Sequence, residues 1–441
     1  MVILAFRCLD VRKHGRVKNN QRSCIKAVPA RIVTFLLCLG FSLTGCANEA
    51  AVSPVPANIS QAIQLPAGFK LRVFADFSQH HQLALAEPRM MAFDAAGNLY
   101  VSLTRQGMVV MLEKNKQQPD VAGQLVVVAE NLNAPHGLAF VGEKLYVANQ
   151  DGIVALEKNS DQKSAYGWPA KNAVSIVKGL PAGGHTLKSL KLGPDGLLYV
   201  NVGSSCNVCN ETEPLRATIL RFTTEGKPAG TLTTLGRHSP SPIYASGLRN
   251  SQGFAWHPKT LAMFATNAGA DNRSETKNGK VNDELPPEHL NQIKAGQHYG
   301  WPYCWGNASN LKSSDLNTMF PDPNFIGEPD FCNIATPPAI TFTSHSTPIG
   351  VTFLDKTNWP AGYKNDAIVA LHGSWNRNNP SGYKLVWVKF NGDKPVAVDD
   401  FALGWLRGKA AFGRPVDVIV GPDGALYVSD DRASLIYRIS H

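Results

Sequence analysis

The sequence predicts an all-β chain folded as a six-bladed β-propeller. One hairpin pattern recurs six times between Met91 and Asp431: apolar alternation, a turn with Gly, Asp or Asn, then a strand of the form L-Y-V. No convincing amphipathic helix of more than two or three turns follows the leader. Roughly 380 residues follow the leader and tether, which is long for a single core unless the chain repeats.

The first two copies are "MAFDAAGNLYVS" (Met91 to Ser102) and "GLAFVGEKLYVAN" (Gly137 to Asn149). "LKLGPDGLLYVNVG" (Leu190 to Gly203) is the third, and "GFAWHPKTLAMFATN" (Gly253 to Asn267) a degenerate fourth. The fifth, "GVTFLDKTNWPAGYKNDAIVALHG" (Gly350 to Gly373), has a stretched turn, and "DVIVGPDGALYVSDD" (Asp417 to Asp431) is the last. Period-2 alternation gives half-buried strands, and Asp-Gly turns supply the positive φ that a tight hairpin needs. The copies lie roughly 45 to 100 residues apart, so insertions separate them. Six such hairpins, each extended to a four-stranded sheet, fit a propeller. A pair of β-sandwiches would not require six similar hairpins.

Upstream of the repeats the chain reads as an address. A basic stretch is followed by the apolar run "IVTFLLCLGFSL" (Ile32 to Leu43), too short to span a bilayer comfortably, and then by "TGC". "LTGC" resembles the lipobox of bacterial lipoproteins. Residues 1–45 are therefore expected to be a lipoprotein signal peptide, 46–64 a flexible tether and 65–441 the propeller. Cys46 is the expected lipid-anchor site on the bacterial cell envelope. Ala47 in place of an inner-membrane-retaining aspartate points to the outer membrane, facing the periplasm.

The net charge of +9 belongs mostly to the leader, which holds eight of the 43 basic residues and one of the 34 acids. What remains is close to neutral, so nucleic acid is not an expected partner. Four cysteines follow Cys46, and an exported chain favours disulfides. Cys304 is expected to pair with Cys332 across a long loop, and Cys206 with Cys209 in "CNVC". A redox or zinc site has no second C-x-x-C to support it.

The residues before each hairpin carry the chemistry. They are "EPRM" (Arg89), "APHG" (His136), "GGHT" (His185), "GLRNSQG" (Arg249, Asn250), "SHSTPIG" (His345) and "FGRPV" (Arg414). Every copy has a cation or an imidazole at the equivalent place, and a propeller brings those places together around its axis. "HGSWNRNN" after the fifth hairpin adds Trp375, Asn376 and Arg377. A ring of Arg, His, Asn and Trp suits a planar polyanion: guanidinium forks match carboxylates, and indole or guanidinium covers an aromatic face.

At "HTLKSLKLGPDGLLYVNVG", "GLRNSQGFAWHP", "NDELPPEHLNQIKAGQHYGWPYC", "HGSWNR" and "GRPVDVIVGPDGALYVSDD" the chain resembles the soluble quinoprotein sugar dehydrogenases of the glucose/sorbosone dehydrogenase type. The resemblance runs from about Leu65 to Ile439 and is closer to the sorbosone branch. It implies a six-bladed propeller that binds pyrroloquinoline quinone (PQQ) and Ca²⁺, oxidises an aldose or related sugar, and passes electrons to an external acceptor. It implies that His185 is the catalytic base and that Arg249 stabilises charge on the quinone. Arg89, Asn250, Trp375, Asn376, Arg377 and Arg414 would hold the cofactor, and the loop "NAGADN" would offer Gly269 and Ala270 carbonyls to calcium. A base of near-neutral pKa takes the substrate's hydroxyl proton as hydride leaves carbon.

Two other classes share this architecture. Six-bladed lactonases hold calcium with side-chain Glu, Asn and Asp, whereas the inferred centre here is cationic. A non-catalytic binding propeller would not need His185, Arg249 and Arg414 together. The insertion from Asn307 to Ile334 is the expected sugar-contacting loop, and its sequence carries no readable code for a particular sugar.

Overall fold

The chain divides into two units, residues 1–49 and 50–441, and all six blades lie in the second. The computed structural model describes residues 62–80, 83, 85–159, 166–234, 237–307, 319–325 and 330–441. The leader, Cys46 and the tether up to residue 61 lie outside the described residues. So do residues 308–318 and 326–329 of the predicted sugar-contacting insertion.

Six antiparallel four-stranded sheets form the six blades. Their first strands are Pro88–Phe93, Leu138–Val141, Leu190–Leu192, Phe254–Trp256, Pro348–Phe353 and Pro415–Val420. Each is paired to the L-Y-V strand of its own hairpin, so all six sequence repeats are the inner halves of blades. Blade 6 takes its outer strand from the other end of the chain: Lys70–Asp76 pairs with Leu435–Ser440. That splice closes the ring and leaves no open seam between first and last blades.

The second strands Leu99–Leu103, Leu198–Val202, Met263–Asn267, Ala367–Leu371 and Leu426–Asp430 are buried along their whole length. Their near-continuous apolar character follows, because each faces a neighbouring blade on both sides. Six apolar clusters accordingly lie one at each blade interface, and two smaller ones hold Met90, Ile349 and Val416, and Cys304, Met319 and Ala335.

The turn residues are tied to the strands they precede. Tyr100 donates to Asp94 (3.2 Å), Tyr199 to Asp195 (2.8 Å) and Tyr427 to Asp423 (3.1 Å). The recurring Asp and Tyr of the motif are thus the two ends of one hydrogen bond, which satisfies a phenol buried between blades.

Candidate functional site

Two local devices place the loops that precede the first strands. The first is a polar side chain near the end of the second strand, which accepts a backbone N–H from the loop or, in blade 1, from the start of the first strand. Ser102 Oγ accepts from Met90 (3.0 Å), Asn201 Oδ1 from Ser189 (2.6 Å), Asn267 Oδ1 from Asn250 (3.1 Å) and Asp430 Oδ1 from Arg414 (2.8 Å). The second is an irregularity. Blades 1, 5 and 6 begin on Pro88, Pro348 and Pro415, and the register shifts immediately afterwards. Proline has no N–H to lose there, and a bulge re-aims the side chains beside it.

His185 follows Gly183 and Gly184. Gly184 has φ +60°, and a Cβ on it would lie 2.5 Å from the Ser204 carbonyl, so only glycine lets the loop press against that strand end. His185 Nδ1 lies 2.9 Å from Ser204 Oγ and 3.1 Å from the Ser204 carbonyl oxygen. A carbonyl oxygen only accepts, so Nδ1 carries the proton and Nε2 carries the lone pair. Burial, reinforced by the Arg249 charge, lowers the ring's pKa to about 4. At neutral pH the imidazole is uncharged with an available Nε2 lone pair, and its pKa lies below the near-neutral value expected of it from the sequence.

Arg249 is attached to the same strand end, its carbonyl accepting from Ser204 N–H (2.8 Å). Its guanidinium is buried. Nε donates to the Asn207 carbonyl (3.1 Å), and Nη2 donates to Asn207 Oδ1 (2.9 Å) and Asp271 Oδ2 (2.9 Å). Asp271 Oδ1 accepts from Asn376 Nδ2 (2.9 Å) and lies 3.6 Å from His345 Nδ1. Burial raises the Asp271 pKa, but the His345 and Arg249 contacts outweigh it, so the carboxyl is held below its ordinary value. His345 has φ +61°, an uncommon conformation for a non-glycine residue that turns its ring toward this group.

A second cluster lies beside the first. Arg89 Nη1 donates to Asp431 Oδ2 (2.5 Å), and His372 Nε2 lies 3.0 Å from both Asp431 oxygens. Arg414 donates from Nε to the His372 carbonyl (3.2 Å) and from Nη2 to the Gly373 carbonyl (2.5 Å). Burial disfavours the Asp431 charge, yet His372, Arg89 and Arg414 hold its carboxyl far below the usual range. Gln252 joins the clusters: it accepts from Arg89 Nη2 (3.4 Å) and donates to Asn250 Oδ1 (3.3 Å).

His185, Arg249 and Asn376 in one polar cluster, and Arg89, Asn250 and Arg414 in the other, are therefore brought together, the two clusters meeting at the adjacent residues Arg249 and Asn250. Arg377 is not: its guanidinium is tied to Glu284 and to the Ser344 carbonyl (3.1 Å). Trp375 is 74% exposed. Gly269 donates its N–H to Glu288 Oε2 (2.6 Å), and Ala270 is buried beside it. Burial raises the Glu288 pKa to about 7.

Asn207, Gln252, Asp271, His372 and Asp431 do not stand out in the sequence as site residues. All five nevertheless sit inside motif stretches: "CNVC" contains Asn207, "GLRNSQG" contains Gln252, "NAGADN" contains Asp271, "ALHG" contains His372, and "SDD" ends on Asp431. A search for cations alone passes over the carboxylates that hold them.

The buried Arg89 Nε and Asn376 Oδ1 have no hydrogen-bond partner among the described residues. The bonds of Arg249 and Arg414 each use Nε and Nη2, and three arginines here meet two ionised aspartates. The residues present thus fit a planar polyanion. Among the described residues the one grouping of three His, Cys, Asp or Glu ligand atoms at metal-binding separation is Cys206, Cys209 and Glu211, and its two cysteines are bonded to each other. A cation at the axis would therefore draw on backbone oxygens such as those of Gly269 and Ala270. Oxygen donors of this kind suit calcium.

This is a six-bladed propeller with an arginine- and imidazole-rich site where the loops before its first strands converge. The chain belongs to the TrAA12-like family, whose model matches residues 66–441. An uncharacterized protein of Borreliella burgdorferi is 27% identical over 395 residues, covering 86% of this chain and 91% of that one. A pyrroloquinoline quinone-dependent pyranose dehydrogenase of Coprinopsis cinerea is 23% identical over 406 residues, 80% of this chain but 52% of that protein. The holo form of a pyranose dehydrogenase PQQ domain from that organism superposes with TM-score 0.69 at 22% identity, covering 86% and 97% of the two chains. A calcium structure of a Trichoderma reesei family AA12 enzyme superposes with TM-score 0.70 at 20% identity, covering 86% and 96%.

Proposed function

We propose that this chain is a PQQ- and Ca²⁺-dependent dehydrogenase that oxidises the carbinol carbon of an aldose or related sugar and passes the electrons to an external acceptor. The observation that carries the reading is His185. Its Nδ1 is committed to Ser204, its Nε2 has a lone pair, and Arg249 is fixed to the same strand end.

Bound PQQ would supply an ortho-quinone able to accept a hydride. Arg89, Arg249, Asn250, Asn376 and Arg414 would hold its carboxylates and ring, and the Gly269 and Ala270 carbonyls would hold calcium. His185 Nε2 takes the proton from the substrate hydroxyl as hydride leaves the adjacent carbon. The Ser204 carbonyl and hydroxyl stabilise the imidazolium that forms, because both accept from Nδ1–H. Arg249 presents a fixed positive charge to developing negative charge without first reorganising.

Adding PQQ and Ca²⁺ to purified apoprotein tests the proposal. The expected result is stoichiometric quinone absorbance and dye reduction with at least one aldose from a panel. A protein that binds no PQQ contradicts it. We further propose that Cys46 carries a lipid anchor at the periplasmic face of the outer membrane. Cys46→Ser should then move the protein from the detergent phase to the aqueous phase, and identical partitioning of the two proteins rules the anchor out.

A further inference from the structure

Asn207 sits in the four-residue loop closed by the Cys206–Cys209 disulfide. That stretch has no regular secondary structure and is only half-buried. Yet the contacts of Asn207 run inward. Its carbonyl accepts from Arg249 Nε (3.1 Å) and from Trp301 Nε1 (3.0 Å). Its Oδ1 accepts from Arg249 Nη2 (2.9 Å) and from the Asp271 N–H (2.8 Å). Its Nδ2 donates to the Asp271 carbonyl (2.9 Å). One residue thus grips the guanidinium at two of its nitrogens and clamps the segment that follows Gly269 and Ala270 as a neighbouring strand would.

The same loop also reaches His185. The Cys206 carbonyl accepts from Ser204 Oγ (2.7 Å), and that oxygen lies 2.9 Å from His185 Nδ1. With its proton given to Cys206, the hydroxyl is left to accept from the imidazole. The disulfide holds a short surface loop in the one shape that serves both side chains.

We propose that Asn207, presented on its disulfide-clipped loop, is the positioning residue that holds Arg249 and the Gly269–Asp271 segment in register with His185. This rests on the reading of Arg249 and His185 given under Proposed function. A charged donor placed for a transition state is useful only if its own support is rigid, because reorganisation at the moment of reaction cancels the gain.

The test uses apoprotein, so it does not depend on sugar oxidation. Labelling of Arg249 by p-hydroxyphenylglyoxal is followed by peptide mass spectrometry, with Arg89 in the same sample reporting general loosening. In the wild type both arginines are buried and label slowly. Asn207→Ala keeps the backbone carbonyl of residue 207 but removes the Oδ1 acceptor of the guanidinium and both side-chain bonds to Asp271, so it should raise Arg249 labelling at least about tenfold relative to Arg89. Asn207→Asp keeps an acceptor for the guanidinium but loses the donor to the Asp271 carbonyl, so its labelling should fall between those of wild type and Asn207→Ala. The Cys206→Ser/Cys209→Ser protein gives a second route to the same release and should label like Asn207→Ala. Arg249 labelling that stays at the wild-type rate, or rises only in step with Arg89, overturns the proposal. In the reconstituted enzyme Asn207→Ala should lower kcat by roughly 10²-fold with KM little changed, the penalty of a misplaced group. Wild-type protein that shows no PQQ-dependent turnover would defeat the reading of function while leaving the labelling result to decide the role of Asn207.

Discussion

His185 shows how much a single hydrogen-bond partner decides. Ser204 fixes the tautomer, and burial together with Arg249 holds the ring pKa near 4 rather than 6.5. The acid limb of kcat/KM should therefore lie near pH 4, and a limb at 6.5 would contradict the assignment. The stability effect has a definite sign. Between about pH 4 and 6.5 the unfolded chain binds a proton at this position that the folded chain does not. The contribution of His185 to stability is therefore constant above pH 6.5 and falls as pH drops through that window. The arginines separate in the same way. Arg414 bonds only to carbonyls at its guanidinium, whereas Arg377 is committed to Glu284. Arg414→Ala should weaken PQQ binding at least tenfold in an absorbance titration, and Arg377→Ala should leave it within about threefold, because removing a charge-assisted bond costs about 1.5–3 kcal/mol. Equal losses would place both at the cofactor.

At the scale of strands and loops, the repeats were legible because each hairpin buries one motif between two neighbours. The Asp of the turn and the Tyr of L-Y-V recur for a physical reason, the hydrogen bond that satisfies a buried phenol. The ring of cations and imidazoles was legible because propeller closure brings one register position from every blade together. What was not legible was which of them are already paired. Asp431 is remote in sequence from Arg89, and Asp271 lies across the fourth hairpin from Arg249, so no local pattern announces such partners. Both expected disulfides are present, with Cα–Cα distances of 6.2 Å for Cys206–Cys209 and 5.8 Å for Cys304–Cys332. Replacing Cys304 and Cys332 by serine should cost about 3 kcal/mol of stability by loop-closure entropy, read from denaturant midpoints. No change would show that the bridge constrains nothing. A Cβ on Gly253 would lie 1.8 Å from the Ile349 carbonyl of the next blade. Gly253→Ala should therefore destabilise the protein by about 3 kcal/mol, since backbone rather than a movable side chain stands in the way.

Across the whole molecule, the first or second strand of one blade and its flanking loop are stitched to the start of the first strand of the neighbouring blade. Thr104 donates to the Pro135 carbonyl (2.7 Å), Gly137 to Lys188 (2.9 Å), Ser189 to Gln252 and Thr266 to Ile349 (2.8 Å). Met91 N–H donates to Asp417 Oδ2 (2.9 Å), joining blade 1 to blade 6. The rigidity of the site is thus a property of ring closure, completed when Lys70–Asp76 pairs with the last strand. On the proposed function, this rigid ring holds His185 as the base for sugar oxidation. Single-turnover reduction of bound PQQ by an aldose, with occupancy checked by absorbance, tests that role most directly. His185→Ala should bind PQQ as wild type does and reduce it about 10²–10⁴-fold more slowly, the usual contribution of a positioned base. Reduction at the wild-type rate in a fully loaded His185→Ala protein would contradict it.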